Sequence, residues 1–152
     1  MTKENKTLLK ALEINYLTLK HPTMPYITAS DWNDNSANAL TKCIIHFLTY
    51  SGFQAERINT MGVYREGKKI QVGENTRQLK GTYTPSTGTK GSADISATIR
   101  GRSVKIEVKQ KDKQSEVQKQ YQQSIEKAGG VYKIFRNFDD FIIWYDDFIS
   151  KI

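Results

Sequence analysis

Two carboxylates on neighbouring segments are the residues whose types and spacing could do chemistry. Residues 92–99 and 102–109 alternate between apolar and polar side chains. Arg100-Gly101 separates them and suits the tight turn of a β-hairpin. With that turn, residues whose numbers sum to 201 lie opposite each other, so Asp94 faces Glu107. The pattern therefore predicts paired carboxylates on the polar face of a hairpin.

Facing carboxylates repel each other unless a cation lies between them. Mg²⁺ prefers hard oxygen ligands, takes one or two carboxylates, and completes its shell with waters and phosphate oxygens. Lys109 follows Glu107 on the same face and would place an ammonium beside that ion, where it could orient or deprotonate a water or offset phosphate charge. The alternative from the residues alone is a solvated, mixed-charge strand face. In the catalytic interpretation, Lys109 should act in the chemical step and contribute little to stability, because it projects from the polar face of the hairpin.

The segments around the hairpin predict an α/β domain. Apolar residues spaced three or four apart predict helices, and alternation or short apolar runs predict strands. In chain order we predict a helix over 4–20, a helix from Asp34 or Ser36 to Ser51-Gly52, a strand over 53–59, a loop or hairpin insertion over 61–91, the two hairpin strands, a helix over 113–128, a strand over 131–136 and a helix over 138–148. Residues 1–34 are then an N-terminal extension and residues 35–152 the folded domain.

The composition fits one basic domain of ordinary size. Lys and Arg number 23 against 16 Asp and Glu, and the net charge of +7 favours polyanionic partners such as nucleic acid or an acidic membrane surface. A single cysteine, Cys43, excludes a disulfide framework and a multi-thiolate zinc site. Because no run approaches the roughly 18 apolar residues of a membrane span, we expect no membrane insertion and a reducing, cytoplasmic location.

Further basic and polar residues are candidates for phosphate contacts. Arg57 lies in the predicted strand after the first domain helix, and Lys90 and Ser92 stand just before Asp94. The insertion adds Lys68, Lys69, Arg77 and Lys80, with Tyr83 among them. Such a composition suits a segment that lies along a DNA backbone, although a solvated loop is the plainer interpretation. The aromatic residues of the last helix are interpreted as core, with part of them available for a dimer face.

Several of these residues resemble one nuclease superfamily. Gly91-Ser-Ala-Asp-Ile, the hairpin, Ile106-Glu-Val-Lys, and then Gln118 and Tyr121 resemble the PD-(D/E)XK superfamily and, more narrowly, phage-type single-domain members of its virus-type replication-repair nuclease (VRR-NUC) branch. The resemblance covers about residues 36–148. It implies a restriction-endonuclease-like α/β core, ordered helix, three strands, helix, strand, with a mixed four-stranded sheet flanked by helices.

The resemblance also implies roles for individual residues. Asp94, Glu107 and the Val108 carbonyl would hold Mg²⁺, for which Mn²⁺ substitutes, and Lys109 would be the catalytic lysine. Gln118 would join the catalytic residues and Tyr121 would contact nucleic acid. One departure concerns the first domain helix, where many relatives carry an acidic residue. Here Asn38 is the nearest polar substitute, and Asp34 lies just before the helix.

The resulting expectation is a Mg²⁺-dependent DNA endonuclease that hydrolyses phosphodiester bonds. The family suggests a structure-specific, Holliday-junction-resolvase-like enzyme of phage or of DNA repair and recombination, acting as a homodimer on branched or duplex DNA. The missing acid motivates an alternative, a nucleic-acid-binding module of the same fold with little or no cleavage. A third hypothesis, a basic protein that binds another protein or a membrane, has little support because no amphipathic helix with a basic polar face stands out.

Overall fold

The computed structural model describes residues 1–59, 62–72 and 75–152 as a mixed α/β protein. Its helices are α1 (Lys3–Lys20), α2 (Ala37–Tyr50), α3 (Glu116–Lys127) and α4 (Phe138–Ser150). Its strands are β1 (Gln54–Arg57), β2 (Val63–Arg65), β3 (Lys69–Val72), β4 (Asn75–Gln78), β5 (Thr82–Thr84), β6 (Ile95–Ile99), β7 (Arg102–Val108) and β8 (Val131–Phe135). The predicted succession of helices and strands from α2 to α4 is confirmed.

The main sheet is mixed and has four strands, in the order β1, β6, β7, β8. Neighbouring strands are antiparallel except for β7 and β8, which are parallel. The β6–β7 hairpin has the predicted register, in which Ile95 pairs with Ile106. Arg100 and Gly101 have φ angles of 46° and 78°, the left-handed values that both central residues of a type I′ turn require. The four-stranded sheet and its central hairpin were thus predicted correctly.

Helices cover both faces of this sheet. The apolar side of the hairpin is fully buried and packs with α2 and α4 in the main core. Because side chains alternate along a strand, the polar side of β7 faces the opposite layer, where α3 lies. There the ring centroids of Tyr121 on α3 and Tyr132 on β8 are 6.2 Å apart. α3 therefore covers the end of the polar face that carries Glu107, whereas Thr98 and Ser103 near the turn are exposed.

The N-terminal segment packs against the rest of the chain. Leu9 of α1 is fully buried in the core, and α1 contacts both α2 and α4. The Glu13 carboxylate, also buried, accepts hydrogen bonds from the Ser30 backbone N–H and the Trp32 indole, at 2.7 and 2.8 Å. Among the described residues, no helix is long and apolar enough to cross a membrane.

The insertion between β1 and β6 is a two-stranded arm. β2 pairs with β5, and within that pair β3 pairs with β4, so the chain runs out and back as one long antiparallel hairpin. A hydrogen bond of 2.9 Å from the Leu79 N–H to the Lys68 carbonyl connects the two pairs. The hairpin form of the predicted insertion is confirmed, but its predicted first residue, Met61, lies outside the described residues, as do residues 73 and 74.

Candidate active site

The candidate site lies where the two central strands end. β6 begins at Ile95, three residues later than predicted, so Asp94 precedes the paired ladder. Its side chain accepts a hydrogen bond of 2.9 Å from the Val108 N–H, and its carbonyl accepts one of 2.8 Å from the Ile58 N–H. Asp94 therefore links the ends of β1 and β7, one residue beyond the last ladder pair, Ile95 with Ile106.

Glu107 is the most unusual residue of the site, because its carboxylate is buried. Only 2% of the residue is exposed. One oxygen, Oε1, accepts from the Lys109 ammonium at 2.9 Å and from the Gln118 amide at 2.5 Å. The other, Oε2, is buried and makes no hydrogen bond with any described residue. Burial raises the pKa of Glu107 and the charge of Asp94 adds to this, whereas Lys109 and Gln118 oppose it.

Gln118 has a fixed orientation at this site. It occupies the third position of α3 and forms a capping box with Ser115, whose backbone N–H donates to the Gln118 side-chain oxygen at 3.0 Å. The amide nitrogen of the same side chain is then free to donate to Glu107. The start of α3 thus determines which way the amide points. The predicted helix starts at Glu116 instead of residue 113 because Ser115 caps it.

Tyr132 is a site residue that the sequence analysis missed. It pairs with Lys105 in the parallel β7–β8 ladder and so lies on the same face as Glu107. Its hydroxyl is buried, and burial together with the nearby Glu107 charge raises its pKa to about 12. The parallel register across the α3 crossover cannot be read from the sequence, although the alternation of β8 shows that Tyr132 and Ile134 share a face.

The donor set of the candidate metal site is small. The described part of the chain contains no group of three or more His, Cys, Asp or Glu side chains that could hold a metal ion. Asp94 and Glu107 are two carboxylates, and Glu107 Oε2 has no hydrogen bond from the described part of the chain. The Val108 carbonyl can add a third oxygen, because the N–H and C=O of a strand residue point to the same neighbour and its N–H points to Asp94. A hard cation with few protein ligands fits this donor set.

The residues near the first domain helix do not complete the set. Asp34 is buried and accepts from the Phe138 N–H at 2.9 Å, and the Met1 amino group lies 2.9 Å from its other oxygen. Asn38 on α2 accepts a hydrogen bond of 2.7 Å from the Arg57 guanidinium. Asp34 thus anchors the start of α4, and Asn38 positions Arg57.

The residues predicted to contact nucleic acid differ in their exposure to solvent. Arg57 and Lys90 are exposed. Gly91 has a φ of 75° and lies against the backbone of Val117 on α3. The hydroxyl of the next residue, Ser92, is buried and has no hydrogen-bond partner among the described residues. Tyr121 is half-buried on α3 and packs against Tyr132. Lys90 and Ser92 therefore lie beside the start of the helix that carries Gln118.

Comparison with known proteins gives no relative. No family model matches the sequence, and no curated protein or solved structure shows significant similarity to it.

Proposed function

We propose that this chain is a Mg²⁺-dependent DNA endonuclease of the PD-(D/E)XK superfamily, close to its VRR-NUC branch, with a restriction-endonuclease-like core. One observation carries the proposal: Glu107 is buried, has one oxygen without a hydrogen bond to any described residue, and lies beside Asp94 and Lys109. The family resemblance of Asp94, Glu107-Val-Lys109 and Gln118 gives the same assignment.

A purely structural role explains Glu107 poorly. A solvated mixed-charge face would leave its carboxylate in water, yet the residue is 2% exposed. Taking a carboxylate out of water costs roughly several kcal/mol, and full hydrogen bonding of both oxygens is needed to offset this lost hydration. Oε2 lacks that compensation among the described residues. Such uncompensated buried groups are characteristic of ligand and catalytic sites.

Each residue of the site then has a role. Asp94, Glu107 and the Val108 carbonyl would hold the cation, and the Gln118 amide orients the Glu107 carboxylate. A bound Mg²⁺ would polarise a phosphoryl oxygen and favour a nucleophilic water at neutral pH. The Lys109 ammonium, 2.9 Å from Glu107, offsets negative charge that develops on the phosphate during attack.

The charge distribution favours DNA as substrate. The net charge is +7, and basic residues are exposed along the length of the two-stranded arm. Arg57 pairs with Ile95 at the end of β1 and its guanidinium is held by Asn38 on α2, so it can contact phosphate on the α2 side of this strand end. Phosphate contacts of this kind hold the backbone without reading its sequence.

A cleavage assay with matched variants tests the proposal. Labelled duplex, flap, single-stranded and four-way-junction DNA are incubated with the protein in Mg²⁺, Mn²⁺ or EDTA. Glu107→Gln should abolish cleavage, whereas Glu116→Gln, which neutralises an exposed carboxylate paired with Lys119, should cleave like the wild type. Cleavage in EDTA, or equal cleavage by both variants, would contradict the assignment.

The second candidate is a nucleic-acid-binding module without cleavage. The observation that favours it is the lack of an acidic side chain on α2, which leaves two carboxylates at the site. In the same assay this function predicts DNA binding without products in any metal.

A further inference from the structure

A groove on the far side of α2 is not used by the proposed chemistry. It has a volume of about 480 Å³ and lies between the segment 30–36 and one side of α2. Asn38, Lys42, His46 and Tyr50 line its α2 side at intervals of four residues, and they therefore form one stripe along the helix. Trp32 lines it from the opposite side. We call this cavity the α2 groove.

One end of the α2 groove is aromatic. The His46 ring lies between Trp32 and Tyr50, with ring centroids 5.2 and 5.3 Å away. Hydrogen bonds to buried Glu13 hold the Trp32 indole and the Ser30 backbone in place. Burial lowers the pKa of His46, against the opposing charge of Glu13, and so favours the neutral ring. The aromatic end of the groove is therefore an uncharged surface of rings that are held in place by their neighbours.

The middle of the groove carries a positive charge. Lys42 is exposed and makes no hydrogen bond or ion pair with any residue that the structure describes. Two acidic side chains also line the groove: Asp31 is paired with Lys6 at 2.6 Å, and the buried carboxylate of Glu13 accepts hydrogen bonds from Ser30 and Trp32. Lys42 is thus the charge that the groove offers to a ligand.

The other end of the groove leads toward the candidate active site. Asn38 accepts from Arg57 at 2.7 Å, and the residue that follows Arg57, Ile58, donates to the carbonyl of Asp94 at 2.8 Å. Asn38 and Arg57 thus connect the groove to the end of β1, which is hydrogen-bonded to the backbone of Asp94. A ligand that spans both would be extended and would carry anionic groups.

A nucleotide matches these features in order. Its base can pack against the aromatic end of the groove, and its phosphate can meet the ammonium of Lys42. A cavity of this volume falls in the range of small-ligand sites. Paired bases cannot enter, because they are stacked inside the duplex. The ligand must therefore be single-stranded or unpaired.

We propose that the α2 groove binds an unpaired nucleotide of the substrate strand, with its base against His46 and Tyr50 and its phosphate on Lys42. This rests on the proposed function and narrows it, because the enzyme would then prefer DNA with a single-stranded segment, such as a flap or a fork, to uninterrupted duplex.

Binding measured in EDTA separates this proposal from the cleavage chemistry. Fluorescence anisotropy is recorded with a labelled single-stranded oligothymidylate and with a labelled duplex. Lys42→Gln should weaken binding of the single strand about tenfold, the usual effect of losing one charge-assisted contact, and leave duplex binding nearly unchanged. Lys3→Gln, an exposed lysine outside the groove, is the matched control and should bind both like the wild type.

Each result decides one of the two proposals. Equal affinity of Lys42→Gln and the wild type for the single strand would overturn the groove assignment, even if the protein cleaves DNA in Mg²⁺. Lys42-dependent binding without cleavage in any metal would retain the groove and refute the nuclease. Unchanged melting of Lys42→Gln shows that a loss of binding is not a loss of fold, and Lys42→Glu should weaken binding further.

Discussion

At the scale of single residues, the buried environment of Glu107 changes the expected contribution of Lys109 to stability. The hairpin pattern places Lys109 on a solvated face, where its removal would cost little. Instead its ammonium lies 2.9 Å from a carboxylate whose side chain is 3% exposed. Removing one partner of a buried ion pair leaves the other charge uncompensated, which costs far more than losing a surface pair.

Lys109→Met should therefore lower both stability and activity. We expect a loss of about 3 kcal/mol in the free energy of unfolding, because Glu107 is left without its cationic partner. The double variant Glu107→Gln/Lys109→Met should regain part of that loss. Denaturant unfolding in EDTA measures the free energy of unfolding of both variants. If Lys109→Met is as stable as the wild type, the Lys109–Glu107 pair contributes nothing to stability.

The residues of the site differ in how far the sequence reveals them. Asp94, Glu107 and Lys109 could be placed together because the register of a hairpin follows from its turn. The assignments of Gln118 and Tyr121 came from resemblance. The burial of Glu107 could not be predicted, because it depends on α3 folding over the hairpin and on the capping box that orients Gln118.

At the scale of elements, local patterns predicted α2, the hairpin and α4 well. Ser36 caps α2 as expected, and the apolar spacing of α2 matches its buried residues. The arm strands could not be predicted, because their residues are exposed and show little alternation. Their pairing depends on the partner strand and not on burial of one face.

The arm gives the first prediction at this scale. Because releasing counterions from phosphates drives such binding, DNA affinity should fall steeply with salt. Lys80→Glu/Lys90→Glu should flatten the slope of log affinity against log salt by about one to two. The same reversals at Lys3 and Lys127 are the control. An unchanged slope in the double variant would show that neither Lys80 of the arm nor Lys90 beside α3 contacts DNA.

The second prediction at the scale of elements concerns Glu13, whose hydrogen bonds connect α1 to residues 30–32. Burial by itself raises its pKa, but hydrogen bonds from Ser30 and Trp32 outweigh this and lower it. Around the ordinary glutamate pKa of 4.5, the folded protein therefore binds fewer protons than the unfolded chain, and the stabilisation is complete above that pH. It is lost as the pH falls through the lower pKa of the folded state.

Glu13→Gln should thus be less stable than the wild type by about 1–3 kcal/mol at pH 7, since Gln cannot accept at both oxygens. The difference should shrink as the pH falls below 4.5. Thermal melts at pH 7 and at pH 3 measure it, with Glu4→Gln, an exposed acid on the same helix, as control. A gap that stays constant with pH would contradict this role of Glu13.

At the scale of the whole molecule, the aromatic last helix is mainly core, as predicted. Phe138 and Phe141 are fully buried. Trp144, Tyr145 and Phe148 are partly buried and pack against the core, with the Tyr145 ring 4.9 Å from Phe47. Less apolar surface is therefore left for a partner than the sequence suggested. Ile143, 71% exposed, is the main apolar side chain of α4 that still faces outward.

The homodimer remains a prediction and can be tested at Ile143. If α4 forms the dimer face, light scattering should show a dimer for the wild type and a monomer for Ile143→Asp. Leu19→Asp changes a similarly exposed apolar residue of α1 and should stay dimeric. A wild-type monomer that cuts four-way junctions no better than linear duplex would refute dimeric action on branched DNA.

The central claim is that Asp94 and Glu107 hold one divalent cation, and calorimetric titration with Mn²⁺ tests it most directly. The wild type should bind the ion at one site, Glu107→Gln and Asp94→Asn should each lose that binding, and Glu116→Gln should keep it. Equal Mn²⁺ affinity in the wild type and in the Glu107→Gln and Asp94→Asn variants would contradict the claim.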